Sequence, residues 1–234
     1  DDIMSIVNRL PKDRQTIMFS ATMPPKIKQM AKTILREPEE VKIAISRPPE
    51  TIMQTAYICE ESQKNGIIRS LFAETSPNKV ILFCGSKVKV KELTRSLGRM
   101  GLSVGEMHSD LDQKQRDEVM HEFKNNRVSM LIATDIVSRG IDIDDISLVI
   151  NYDVPFEVED YVHRIGRTAR AGDEGMSITL VGPEEQFRFR KIEEFLGKDI
   201  YKIPLPPELG EAPAYNPSLR RMKPQKGFQR RKRK

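Results

Sequence analysis

Cysteine and histidine are scarce in this chain, at two and three residues in 234. Cys59 and Cys84 form no C-x-x-C pair, and the three scattered histidines supply no metal-ligand spacing. Both cysteines sit in apolar, strand-like runs and read as buried, reduced thiols. Long hydrophobic runs are also missing. No segment approaches the roughly 18 apolar residues of a membrane span, and the acidic stretch DDIMSIVNRL has neither the basic nor the apolar region of a secretory leader. The expectation is a cytoplasmic protein with no membrane partner and no metal ligands of its own. A further absence concerns nucleotides: no G-x-x-x-x-G-K-[ST] phosphate loop occurs anywhere.

What is present fits a soluble globular chain, with 38% hydrophobic and 31% charged residues. The length allows one full domain and part of another. The net charge of +5 is unevenly spread. Of the 39 Lys and Arg, nine lie in RRMKPQKGFQRRKRK at 220–234, which leaves 30 in the body against all 34 acidic residues. A block of like charge with Pro and Gly buries no core and is expected to be disordered, while its charge favours a polyanion through counterion release. RNA or DNA is the natural partner; a solubilising terminus or a localisation signal is the alternative.

Val- and Ile-rich runs alternate with amphipathic stretches, the pattern of a parallel α/β sheet with helices on both faces. Strand candidates are TIMF (16–19), VKIAI (41–45), VILF (80–83), MLIA (130–133), LVIN (148–151) and SITLV (177–181). Residues 24–36 carry Ile27, Met30, Ala31, Ile34 and Leu35 on one helical stripe, with Pro25 suited to the first turn and Pro38 beyond the end. Residues 86–100 and 112–125 repeat the pattern. The Pro pair in SRPPETI (46–52) breaks the alternation, and Pro-rich IPLPPELGEAPAYNP replaces it after Ile203. The expected organisation is a domain remnant at 1–48, a complete domain at 49–204, a linker at 205–219 and the basic tail at 220–234.

The octapeptide HRIGRTAR (163–170) sets Arg164, Arg167 and Arg170 three residues apart, on what is expected to be one helical face, exposed or interfacial. Tyr161, Val162 and Ile165 supply the apolar counter-face. Guanidinium is permanently charged, presents a planar fork of donors and stabilises charge on transferring phosphoryl groups, so the row points to a nucleotide. Gly166 costs roughly 1 kcal/mol against alanine within a helix and marks a nearby end or a close backbone approach. Four more motifs fall where strands should give way to helices, the place where open α/β sheets bind ligands. FSATMP offers Ser20 and Thr22, and equally fits a helix N-cap. FCGSK can turn backbone N–H groups of Gly85 to Lys87 and the Ser86 hydroxyl toward a phosphate, or be an ordinary turn. In HSDLDQKQRDEVM, Asp112 or Ser109 caps a helix whose Gln113 and Arg116 can touch one phosphate. ATDIVSRGID packs Thr134, Asp135, Arg139, Gly140 and Asp142 behind a buried strand, with a carboxylate suited to a ribose hydroxyl.

The order SAT, FCGSK, QKQR, TDIVSRGID and HRIGRTAR resembles the DEAD-box family of ATP-dependent RNA helicases, superfamily 2, over nearly the whole chain except the tail. Within the family the bacterial RhlE-like group is the most similar. Ser109 stands where the family has Gly in its H-G-D triplet, and Ala169 where many members have Gly. The resemblance implies RecA-like domains of the P-loop NTPase type: one complete and one partial here, with ATP and RNA bound across the cleft between the two.

By that match Arg167 and Arg170 are arginine fingers, Gly140 and Asp142 hold the nucleotide, and Ser20, Thr22 and His163 couple the two domains. Ser86, Gln113, Arg116 and Thr134 hold the RNA backbone without sequence preference. With neither a phosphate loop nor a D-E-A-D tetrad here, Mg2+ is expected to be held mainly by the amino-terminal RecA-like domain, and this piece alone is expected to be inactive. The chain is expected to start just downstream of those motifs, with apolar faces exposed in residues 1–48. Two other readings stay open: a non-catalytic RNA-binding module relying on the tail, and a DNA helicase domain of the same superfamily.

Overall fold

The structure, a computed structural model, describes residues 2–20, 23, 25–41, 48–73, 78–135, 146–168 and 174–218. It divides into two compact units, Asp1–Ser46 and Arg47–Lys234. In the first unit, α1 (Asp2–Val7) and α2 (Pro25–Ile34) are joined by a segment without regular structure. Pro25 opens α2, where its missing N–H costs nothing. TIMF forms no strand, contrary to the expectation from its composition, and Phe19 is 94% exposed. The reason is that a strand is stable only against a hydrogen-bonding neighbour, and no strand occurs among the described residues of this unit. Ile3, Ile6, Ile17 and Val41 are likewise exposed. VKIAI lies outside the described residues apart from Val41.

The second unit is a doubly wound α/β domain. Its elements are β1 (Ile52–Ile58), α3 (Lys64–Leu71), β2 (Val80–Phe83), α4 (Lys87–Arg99), β3 (Val104–Met107), α5 (Gln113–Lys124), β4 (Met130–Ala133), β5 (Leu148–Asn151), α6 (Val158–Ile165), β6 (Gly175–Val181), α7 (Gln186–Leu196) and β7 (Tyr201–Lys202). The strands form one parallel sheet in the order β3-β4-β2-β5-β6-β1-β7. VILF, MLIA and LVIN are central strands almost wholly buried, as runs covered by helices on both faces must be. Alternation then divides their side chains between two cores. Val80, Leu82, Met130 and Ile132 meet Ile67 and Ile68 of α3 and Val90, Leu93 and Leu97 of α4. Ile81, Phe83, Leu131 and Val149 meet Phe123 of α5, Tyr161 and Ile165 of α6, and Phe189 and Ile192 of α7. Three strands were not legible as candidates: β1, β3 and the two-residue β7. At Gly105 in β3, a Cβ would lie 3.1 Å from methyls of Val119 and Val128, so glycine lets α5 close on the sheet.

The Pro-rich stretch, where described, is held against the domain as a strap. Gln63 donates its amide to the carbonyls of Leu209 (2.8 Å) and Glu211 (3.0 Å), and Leu209 packs against the α3–α4 core. Farther along, Gln186 donates to the Ala214 carbonyl at 2.9 Å and accepts from the Asn216 N–H at 2.6 Å. Tyr215 meets Phe189 edge-to-face and donates its hydroxyl to Glu193 at 2.7 Å.

Candidate nucleotide and RNA site at the carboxyl edge of the sheet

Neighbouring parallel strands end together, so the residues that follow them share an edge. β2 pairs with β4 to the Phe83–Ala133 register, and β3 pairs with β4 to Met107–Ala133. Ser86 therefore follows β2, Thr134 follows β4, and the loop after β3 leads into the first turn of α5 with Gln113 and Arg116. These four residues lie along one stretch of the sheet's carboxyl edge. Asp112, rather than Ser109, caps α5: its carboxylate accepts the Gln115 N–H at 2.8 Å while Gln115 returns a bond to the Asp112 N–H at 3.0 Å. Gln113 is exposed and donates to Asp117 at 2.9 Å. Arg116 is half-buried, and its Nε has no hydrogen-bond partner among the described residues.

Ser86 is the exposed N-cap of α4 and accepts the Lys89 N–H at 3.2 Å. Of the two readings of FCGSK, the Gly85 N–H follows the ordinary turn: it is donated to the Asp153 carboxylate at 2.7 Å. The acceptor comes from just beyond the adjacent strand β5. Asp110 spans the edge by accepting from Lys87 (2.6 Å) and Lys91 (2.9 Å), whose hydrogen bonds and charges hold its carboxyl down at about 2.

Behind this edge lies a buried ionic cluster that the sequence reading passed over. Lys64 is fully buried, with Nζ 2.8 Å from the Tyr152 carbonyl, 3.0 Å from Glu185, 2.9 Å from Glu61 and 3.5 Å from Asp153. Burial disfavours its charged form, yet the charge of Glu185, the hydrogen bond to Glu61 and the charges of Asp153 and Glu61 outweigh that and raise its pKa. Lys89 completes the group through Asp153 (2.8 Å) and Glu61 (2.9 Å). Burial pushes Asp153 up, but hydrogen bonds from Lys89 and the Gly85 amide, with the two lysine charges, bring its carboxyl below the ordinary value. The cluster is well satisfied, as buried charge has to be.

The arginine row departs most from expectation. Arg164 does not face solvent; it is 4% exposed and its anion is a carboxylate of the domain itself. Its Nε and Nη2 fork onto Asp135 at 2.6 and 2.8 Å, and Nη1 reaches Asn151 Oδ1 at 3.1 Å and the Asp153 carbonyl at 2.9 Å. Nor does one helical face carry all three arginines, because α6 ends at Ile165 with Gly166 as its C-cap. A Cβ on Gly166 would lie 3.1 Å from the Val162 carbonyl oxygen. Arg167 lies beyond the helix, half-buried, with its Nε donated to the His163 carbonyl at 3.2 Å. Thr168 then pairs with Ile146 through an isolated bridge and a side-chain bond to its carbonyl. Arg164 thus ties the end of α6, with His163 and Arg167, to Asp135 beside Thr134. Ser20 belongs to the first unit and is exposed. Thr22, Gly140, Asp142 and Arg170 lie outside the described residues. Among the described residues no group of three His, Cys, Asp or Glu side chains is arranged to hold a metal ion, and no helix is long and apolar enough to cross a membrane.

Residues 63–172 match the helicase conserved C-terminal domain. The chain is 38% identical over 212 residues to the ATP-dependent RNA helicase CshA of Limosilactobacillus reuteri, covering 90% of this chain and 42% of that protein. It spans less than half the length of the curated relatives it matches. Among solved structures, S. cerevisiae Dbp5 bound to RNA and ADP BeF3 superposes with a TM-score of 0.73 at 30% identity, over 86% of this chain and 54% of that one. E. coli DEAD-box protein SrmB, solved with the regulator of ribonuclease activity A, gives a TM-score of 0.65 at 30% identity, over 71% of this chain and 99% of that one. The seven-stranded parallel sheet is accordingly a RecA-like domain. The chain belongs to the DEAD-box family of superfamily 2 helicases, of which it carries the carboxyl-terminal portion.

Proposed function

We propose that this chain is the carboxyl-terminal half of an ATP-dependent RNA helicase that couples ATP hydrolysis to local unwinding or remodelling of RNA. ATP is the substrate. Arg167 and Arg170 act as fingers on its γ-phosphoryl group, Asp142 holds its ribose, Gly140 allows the close approach, and an amino-terminal RecA-like domain supplies the phosphate loop and most of the Mg2+ coordination. Residues 1–48 are the last part of that first domain. Ser20, Thr22 and His163 link it to the second, and Ser86, Gln113, Arg116 and Thr134 hold the RNA sugar-phosphate backbone.

One observation carries this reading: three adjacent strand ends bring Ser86, Thr134 and the Gln113–Arg116 turn onto one edge, and Arg164 joins that edge to the helix ending beside Arg167. A hydroxyl pair and a guanidinium along an edge suit a phosphodiester backbone better than a base sequence. Support also comes from the solved relative Dbp5, which carries this fold and was bound to RNA and ADP BeF3.

The test is ATP turnover with and without RNA, first for this chain alone and then after adding a half that bears the phosphate loop. Turnover is expected only when both halves are present. Robust hydrolysis by the chain alone sinks the division of labour. In the reconstituted protein, Arg167→Ala is expected to lower kcat by roughly 10³-fold or more.

A further inference from the structure

We infer that Asp153 is a positioning residue for the RNA-facing turn, setting the orientation of Ser86 from the neighbouring strand; this rests on the reading of Ser86 as an RNA contact. Asp153 sits at the end of β5, which pairs with β2 to the Phe83–Asn151 register, so its side chain faces the turn that follows β2. The carboxylate grips that turn at two points. Oδ2 accepts the Gly85 N–H at 2.7 Å, and Oδ1 accepts Lys89 Nζ at 2.8 Å, one turn into α4. The Lys89 N–H in turn is donated to Ser86 Oγ at 3.2 Å, which closes a ring of contacts around Ser86.

The carboxylate is itself held from behind by fully buried Lys64, which is anchored on Glu185 and the Tyr152 carbonyl. A charge-assisted bond to a backbone amide is short and directional, so it fixes the peptide plane that leads into Ser86. Space is not the constraint at Gly85, since a Cβ there would lie 3.4 Å from Asp153 Oδ2, an ordinary contact. What the turn requires is the acceptor. The backbone carbonyl of Asp153 separately holds Arg164 at 2.9 Å, a contact that side-chain substitution leaves in place. Substituting Asp153 therefore loosens the RNA-facing turn without removing the brace on α6.

The experiment uses the full-length protein and measures ATP turnover against the concentration of a single-stranded oligonucleotide. Asp153→Ala is expected to raise half-saturating RNA roughly tenfold, about the worth of one hydrogen bond, with kcat at saturating RNA and KM for ATP changed less than about twofold. Asp153→Asn is expected to recover part of the RNA affinity, because its one amide oxygen can accept the Gly85 N–H while its NH2 loses the Lys89 contact. Lys89→Met, on a half-exposed helix position, is the second variant and moves half-saturation in the same direction if Asp153→Ala does not fold.

Unchanged half-saturation in a folded Asp153→Ala or Lys89→Met protein overturns the inference. A structural role alone lowers kcat or the active fraction and leaves half-saturation where it was. In ¹⁵N-labelled chain the Gly85 amide resonance is expected to move on Asp153→Ala, and its failure to move overturns the local geometry independently of turnover. If the unmodified full-length protein hydrolyses ATP without any response to RNA, the functional reading itself falls.

Discussion

Arg164 and Asp135 form a two-pronged ion pair, Nε to Oδ1 at 2.6 Å and Nη2 to Oδ2 at 2.8 Å, that joins the last turn of α6 to the end of β4. The guanidinium also lies 5.2 Å over the Phe83 ring, so both its charge and its flat face are occupied. The first arginine of the row is thereby committed to holding the domain together. Removing one partner of a buried pair strands the other charge. Arg164→Ala is expected to cost about 3 kcal/mol, near the low end for such pairs because Asp135 keeps some solvent. Urea unfolding of the chain followed by circular dichroism measures it. Arg164→Lys keeps the charge but not the fork and is expected to fall between the two; a midpoint for Arg164→Ala equal to the unmodified chain's would contradict the account.

How legible was this in the sequence? VILF, MLIA and LVIN coincide with β2, β4 and β5 because a strand buried on both faces is apolar at every position. TIMF has the same composition and forms no strand, since a ladder depends on neighbours and not on the segment. β1 went unseen because IMQTAYI places Gln54 and Thr55 amid its apolar residues, and VGEM of edge strand β3 is half polar. Helical spacing put Arg164 on a face but could not say what lies opposite. The Lys64 cluster was the least visible, since Lys64 and Glu185 stand 121 residues apart and nothing local to either announces the other.

Alkaline pH is expected to unfold the second unit. Burial raises the pKa of both thiols, Cys59 and Cys84, from 9.0 to about 12. It also raises Tyr57 and, chiefly, Tyr152, Tyr161 and Tyr215 from 10.0. In Lys64 and Lys89 burial works the other way but is outweighed by their carboxylate partners, and both lie above 10.5. All these shifts carry one sign: the folded state retains protons that the unfolded chain gives up, so stability is full below the unfolded values and declines above about pH 9. Urea midpoints taken from about pH 8 to about pH 11 are expected to fall steadily. At about pH 8 the native thiols are expected to resist a disulfide reagent, with both reacting on unfolding. Fast labelling of native protein would show them to be less enclosed than the geometry has them.

The strap gives a third expectation. Tyr215 donates to Glu193 Oε2 at 2.7 Å, and Glu193 is buried, so losing the phenol leaves that oxygen only the more distant Arg190 guanidinium at 3.6 Å. The Ile200 N–H and the Lys202 ammonium still serve the other oxygen. Tyr215→Phe is therefore expected to cost about 1 to 2 kcal/mol, the worth of one hydrogen bond to a charged acceptor. Hydrogen exchange locates the effect: amides of residues 204–218 are expected to exchange faster while those of β2 and β4 do not. Uniform acceleration throughout the domain would mean that the strap is not a separable element.

The basic tail and the arginines after α6 can be told apart by salt. Nine Lys and Arg in residues 220–234 and no acid make the tail a polycation whatever its conformation. Binding that neutralises phosphates releases counterions, and on a single strand the logarithm of affinity falls with that of salt at a slope of about −0.7 per contact. Deleting 220–234 is expected to weaken binding of a labelled single-stranded RNA and to flatten that slope by up to about 6. Arg167→Ala is expected to do neither, while abolishing turnover in the full-length protein, because a finger acts on charge that develops during phosphoryl transfer and not on the nucleic acid. A different pair of outcomes marks a non-catalytic RNA-binding module. Tail deletion then removes all affinity, and Arg167→Ala has no consequence in any assay. A tail deletion that leaves the slope unchanged would assign RNA binding to the sheet edge alone, with Ser86, Arg116 and Thr134 carrying the contacts.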